Sequence, residues 1–186
     1  MKHMSVASKP ALEPKRSEFV VERVFEAPRK LVWQAWTEPE RLARWWGPKG
    51  CTIRVVKHEL REGGIFHYAM SFKPGHDMWG RFIYREIAPP ERLVFVNSFS
   101  DPEGGITRAP YPQLGDDWPL EILNRLTLTE DGGKTKLTLR GSPINATETG
   151  RKAYASMFGS MQQGFAVRRA PGGIERRAVA GEPQPR

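Results

Sequence analysis

Residues 27–48 read APRKLVWQAWTEPERLARWWGP and hold four of the chain's six tryptophans, Trp33, Trp36, Trp45 and Trp46. Pro28, Pro39 and Pro48 divide the stretch. Proline fixes φ and lacks an N–H, so it suits a helix start and ends the helix before it. In the first segment Leu31, Val32, Ala35 and Trp36 form an apolar stripe at helical spacing. Thr37-Glu38-Pro39 then resets the chain, Glu40 to Trp46 makes a second short helix, and Gly47-Pro48 ends it. The stretch follows directly on Phe19–Glu26, FVVERVFE, a β-rich alternating run that reads as a strand.

Downstream, strand signals recur at regular spacing with turns between them. Thr52–Leu60, Ile65–Phe72, Met78–Ile87 and Arg92–Phe99 are separated by Glu62-Gly63-Gly64, Lys73-Pro74-Gly75 and Pro89-Pro90. A long polar loop, Ser100–Asp117, leads to Leu120–Thr129, which turns at Asp131-Gly132-Gly133 into Lys134–Arg140. Hairpins joined by such turns predict an antiparallel meander. The last element is helical: Asn145 or Thr147 can cap it, and Tyr154, Phe158, Met161 and Phe165 fall on one face.

One amphipathic helix cannot cover a seven-strand sheet flatly, so the sheet must curl around it. The strand faces agree. Thr135, Leu137 and Leu139 point one way and Lys134, Lys136 and Arg140 the other. Met78, Phe82 and Tyr84 oppose Arg81 and Arg85, and Leu120, Ile122, Leu126 and Leu128 oppose Arg125, Thr127 and Thr129. The fold class is therefore α+β, a curved antiparallel seven-strand sheet wrapped on a long C-terminal helix, with two short helices after the first strand. Asn97 and Asn124 break the apolar face of their strands. A buried amide without a partner costs ~1–3 kcal/mol. Either the two bond to each other or to water and fix strand register, or they meet a polar group of a ligand inside the sheet's concavity.

The net charge of +8 sits mainly at the ends. Residues 1–17 hold four Lys/Arg and one Glu, and residues 167–186 hold five Arg and two Glu, which leaves residues 18–166 with about +2. Such a body gives no clustered basic surface for nucleic acid. Both ends lack an apolar period and are expected to be loose, an N-terminal flexible segment and a disordered basic tail flanking one domain at 18–166. A single cysteine, Cys51, excludes a disulfide framework. No run of ~18 apolar residues is present to span a membrane, and no secretory signal is visible, so a cytoplasmic location is expected.

Further residues narrow the fold to a family. Ala27-Pro28, Val32-Trp33, Ala35-Trp36-Thr37, Pro39-Glu40, Trp45-Trp46-Gly47-Pro48, Gly63-Gly64 and Ile87-Ala88-Pro89-Pro90-Glu91-Arg92-Leu93 form a pattern. Gly132-Gly133-Lys134-Thr135 and Ser160-Met161-Gln162-Gln163-Gly164 extend it. Over roughly Phe19 to Ala166 the chain resembles the START-like (SRPBCC) helix-grip superfamily. Within it, the chain is similar to the branch related to the C-terminal domain of the heat-shock-protein-90 ATPase activator. The resemblance implies a cavity between the sheet and the C-terminal helix, and it carries over no catalytic motif. The chain departs from it after Gly164, where VRRAPGGIERR stands in place of a Leu-rich, acidic continuation and Pro171-Gly172-Gly173 would break a helix.

The expected site is that cavity, lined by Phe82, Tyr84, Phe95, Asn97, Asn124, Tyr154, Phe158 and Met161, with Trp46 at its rim. Trp33 and Trp36 are expected to brace the sheet. Aromatic and methionine walls with a few amides suit an apolar ligand bearing one polar group. The expected function is binding of a hydrophobic small molecule, with no catalytic residue, metal or cofactor assigned and the oligomeric state open. A cyclase- or dehydratase-type enzyme using the same cavity is the alternative, with Tyr84 as its acid–base candidate. A protein partner, through co-chaperone-like stimulation of an ATPase, is the other. Of the histidines, His58 and His67 would face each other across a tight hairpin, which is two ligands short of a tetrahedral metal site.

Overall fold

The computed structural model describes residues 18–167 together with Arg176–Arg177. In chain order the elements are β1 (Phe19–Phe25), α1 (Arg29–Thr37), α2 (Pro39–Trp45), β2 (Thr52–His58), β3 (Ile65–Ser71), β4 (Asp77–Ala88) and β5 (Arg92–Ser100). β6 (Glu121–Asp131), β7 (Lys134–Ile144), α3 (Glu148–Ser156), α4 (Phe158–Val167) and β8 (Arg176–Arg177) follow. The antiparallel sheet runs β2-β3-β4-β5-β6-β7-β1, and β8 pairs two residues along the outer edge of β1. The sequence-derived count was seven; the short eighth pairing falls in the tail and carries no strand pattern of its own. The loose ends expected at 1–17 and 167–186 otherwise lie outside the described residues, apart from Val167 at the end of α4. The arrangement is the α+β helix-grip read from the sequence.

The proline-punctuated stretch forms α1 and α2 as expected, with Pro28 at the N-cap of α1 rather than inside it. Thr135 on β7 donates its hydroxyl to the Ala27 carbonyl at 2.7 Å, which pins the strand-to-helix break to the neighbouring strand. Trp45 Nε1 donates to the Ala35 carbonyl at 2.8 Å and locks α2 onto α1. Trp33 and Trp36 are buried, and Trp36 meets Trp45 edge-on at 4.5 Å and Phe95 at 6.3 Å. The tryptophans thus join the helix pair to the apolar face of the sheet.

The C-terminal element is not one long helix. α3 is capped by Thr147, whose hydroxyl accepts from Gly150 N at 3.0 Å, but the α-helical ladder breaks at Met157. There Met157 N bonds back three residues to the Tyr154 carbonyl, and α4 resumes with Met161 N on the Met157 carbonyl. One tightened turn of this kind shifts the helix axis, and Gly159 just beyond it is a weak helix former. The apolar stripe survives the break. Phe158 packs on Phe19 at 5.5 Å and on Tyr154 at 5.3 Å, so both helices face the inner side of the sheet.

Two further expectations need correction. The hairpin closes with Glu59 N donating to the Ile65 carbonyl, so its loop is centred on Glu62, Lys57 faces His67 and His58 faces Phe66; a bulge between Val55 and Lys57 then shifts the register of the rest of β2. His58 turns to the inner face, while His67 lies buried on the other side with Nε2 3.2 Å from the Asp101 carbonyl oxygen. Leu120 does not continue the inner face of β6; it precedes the strand and is about half exposed, at 49%.

Candidate functional site

On the inner face the side chains of β3, β4 and β5 form a solid aromatic layer. Phe82 packs on Phe95 at 4.4 Å and on Phe66 at 5.2 Å, and both Phe82 and Phe95 are fully buried. Tyr84 is also fully buried, with its hydroxyl 3.3 Å from His58 Nε2. These three expected lining residues therefore lie inside the packed layer, and Phe158 seals α4 against β1. The other five come together at a cleft beside this layer.

The cleft has two recesses that share Trp46, Asn97, Ser98 and Phe99. The first, about 150 Å³, lies under α3 and α4, between Phe19, Trp118, Ile122, Asn124, Tyr154 and Met161. The second, about 250 Å³, opens between Gly47, Pro48, Tyr68, Met70 and Tyr111. Together they sit near the lower end of the ~300–1,000 Å³ typical of small-molecule sites. Trp46 stands between them, edge-on to Phe82 at 4.8 Å and with Nε1 donating to the Tyr68 hydroxyl at 2.8 Å.

Asn97 on β5 and Asn124 on β6 are drawn together by strand pairing, since Asn97 is opposite Ile122 and Phe95 opposite Asn124. Asn124 Nδ2 donates to Asn97 Oδ1 and to the Ile122 carbonyl, both at 3.0 Å. The pair is hydrogen-bonded across β5 and β6, and it also borders the cleft. Tyr154 reaches the same spot from α3. A Cβ at Gly141 would stand 2.7 Å from the Tyr154 hydroxyl oxygen and 3.2 Å from Asn124 Oδ1. Gly141 on β7 thus leaves the room in which the hydroxyl and the amide oxygen sit. Gly80 does the same for Tyr68, whose hydroxyl would be 2.5 Å from a Cβ there.

The lining side chains carry no formal charge. Their titratable groups are tyrosines. Burial pushes the phenols of Tyr68 and Tyr154 well above the ordinary tyrosine range, with Trp46 opposing the shift at Tyr68 and the charge of Glu18 adding to it at Tyr154. Burial raises Tyr111 as well. Tyr84, outside the cleft, is also pushed up by burial. No group of three His, Cys, Asp or Glu among the described residues is placed to hold a metal ion. No helix among them is long and apolar enough to cross a membrane.

Sequence reasoning did not pick out Phe19, Trp118, Tyr68, Tyr111 or Gly141. Gly80 and Gly141 were the available signals: a glycine inside a strand marks a place where something approaches closely. Tyr111 comes from the loop read as polar, which folds back so that its ring meets Phe99 at 5.9 Å.

The family model described as Activator of Hsp90 ATPase homolog 1-like protein matches residues 26–167. No curated protein sequence matches the chain. Among solved structures, a protein from Arthrobacter aurescens is 26% identical over 87% of this chain and 86% of its own, with a TM-score of 0.65. A protein from Mycobacterium smegmatis is 21% identical over 83% of this chain and 95% of its own, with a TM-score of 0.59. One from Rhodobacter sphaeroides is 21% identical over 83% and 91%, with a TM-score of 0.63. The last two show the fold alone.

Proposed function

The chain belongs to the Activator of Hsp90 ATPase homolog 1-like family, and from that premise we propose that it binds a small, largely apolar molecule in the cleft between the sheet and its C-terminal helices. The observation that carries this reading is the Asn97–Asn124 pair. Its amides border open space inside an uncharged, aromatic-walled cleft rather than being packed away. Amide groups left without partners in an apolar wall are costly, so the space in front of the pair is where water or a ligand's polar group can meet them.

The enzyme reading has less support. Tyr84, its acid–base candidate, is sealed beneath the aromatic layer and turned to His58. The tyrosines that do line the cleft have phenols raised by burial, away from the range in which a general base works near neutrality.

Native mass spectrometry of the freshly purified protein, followed by thermal unfolding with apolar compounds, tests the proposal. A ligand at a hundred times its Kd adds about 2.7 kcal/mol, which for a chain of this size raises Tm by roughly 5–10 °C. A ligand-free mass, together with an unmoved Tm across neutral aromatic and aliphatic compounds, would overturn it.

A further inference from the structure

The hydrogen bonds of the asparagine pair define what a ligand must offer. A backbone carbonyl only accepts, so the contact with Ile122 O fixes which end of the Asn124 amide is nitrogen. Asn124 Nδ2 spends its second hydrogen on Asn97, which fixes Oδ1 as the atom of Asn97 that faces it. Both amide orientations follow from this chain of partners. The unspent groups are then Asn124 Oδ1, an acceptor, and Asn97 Nδ2, a donor. Among the described residues neither has a protein partner. Both residues border the first recess, and Asn97 also borders the second. The Tyr154 hydroxyl, able to donate or accept, overhangs Gly141 with Asn124 Oδ1.

No cation lines either recess. A carboxylate or phosphate brought here would lose its water with no charge to meet it, a cost far above that of a neutral polar group. An ammonium would meet the same penalty with no carboxylate in the lining. We propose that the cleft selects a neutral ligand whose polar end carries both a donor and an acceptor, of the primary amide, lactam or undissociated acid class, received by Asn124 Oδ1 and Asn97 Nδ2 on an apolar body held between Trp46, Phe19 and Met161. This rests on the reading of the cleft as a small-molecule site and names the chemistry of its occupant.

The test uses one bicyclic aromatic skeleton with four substituents: 1-naphthamide, its N,N-dimethyl amide, 1-naphthoate and 1-methylnaphthalene. Calorimetry and tryptophan fluorescence at pH 7.5 give each affinity with the full chain. The primary amide is expected to bind at least about tenfold more tightly than the dimethyl amide, which lacks the donor, and than the hydrocarbon. A site built to satisfy a polar group rejects the analogue that lacks it, because its own groups are left unpaired. The naphthoate is expected to bind most weakly.

Asn97→Asp keeps the oxygen that accepts from Asn124 and replaces the donor by an acceptor. It should lower naphthamide affinity about tenfold or more. Asn97→Leu, checked for fold by circular dichroism, should erase the preference for the amide over the hydrocarbon. If amide, dimethyl amide and hydrocarbon bind alike, the cleft is a site but the donor–acceptor assignment is wrong. Tightest binding by naphthoate overturns the neutrality. If none of the four binds and native mass spectrometry shows no ligand, the small-molecule reading falls and this assignment with it.

Discussion

Gly141→Ala is the sharpest probe of how α3 sits on the sheet. In an open strand this change is favourable, because glycine in a strand interior costs roughly 0.5–1 kcal/mol relative to alanine. Here the new methyl group would stand 2.7 Å from the Tyr154 hydroxyl oxygen and 3.2 Å from Asn124 Oδ1. The first distance is roughly 0.7 Å short of ordinary contact. Tyr154 cannot swing aside freely. It is buried, with Trp118 at 5.7 Å on one side and Phe158 at 5.3 Å on another, so withdrawing the hydroxyl means shifting α3. Overpacking of this kind costs about 1–3 kcal/mol. Set against the backbone gain, the net loss is about 1–2 kcal/mol, or roughly 3–6 °C in Tm for a chain of this size. The overlap is with one oxygen atom, which supplies an internal control. Tyr154→Phe alone should cost less than about 1 kcal/mol, since its hydroxyl borders the cleft. The double variant should recover most of the Gly141→Ala loss, the remainder reflecting the Asn124 contact. Urea unfolding of the four proteins, followed by tryptophan fluorescence, gives the cycle. A Gly141→Ala protein as stable as the parent, or two losses that simply add, would refute the placement of Tyr154 over β7.

Thr147→Ala should destabilise the protein by about 1 kcal/mol through loss of the α3 cap, with Thr147→Ser close to neutral; equal losses in urea unfolding would mean the hydroxyl is not the cap. Trp46→Phe and Tyr68→Phe should show a coupling energy of about 1 kcal/mol in a double-mutant cycle. Trp46→Phe should be the costlier change, because it strands a buried tyrosine hydroxyl whereas a half-buried indole N–H can turn to water; additive losses would argue against the bond. His58 supplies a pH dependence. Burial lowers its pKa below 6.5, opposed in part by Glu40, so the folded state takes up its proton less readily than the unfolded chain. Stability should hold above pH 6.5 and fall as the pH drops below it, and His58→Gln should flatten that fall between pH 6.5 and 5. An unchanged slope in the variant would assign the acid sensitivity elsewhere.

The architecture was legible because its signals are local and redundant. Pro28, Pro39 and Pro48 stop helices whatever surrounds them, and the strand faces of β4, β6 and β7 repeat the same alternation. What failed depended on single residues. The hairpin after β2 is centred on Glu62 and not between Glu62 and Gly63, which puts Lys57 opposite His67 in place of His58, and nothing in the run TIRVVKHEL marks the bulge at Val56. The break at Met157 lies inside a stripe that reads unbroken, because a tightened turn keeps Tyr154, Phe158 and Met161 on nearly the same side.

The site divides along the same physical line. Asn97 and Asn124 could be paired from the sequence because strand register carries them there, and register follows from alternation and turn position. Which aromatic residues are solid core and which are wall could not be read, since Phe82, Phe95 and Tyr84 share the inner face with Asn97 and Asn124 and differ only in what lies above them. That is decided by α2, α3 and the loop carrying Tyr111, all distant in sequence. Close approach also needs a missing atom, and here Gly80 and Gly141 are more informative than the tyrosines they accommodate. A strand glycine with no turn to make reports that another element comes near. Gly80 faces Tyr68 and so Trp46, while Gly141 faces Tyr154 and so Asn124, which places one such glycine beside each recess of the cleft.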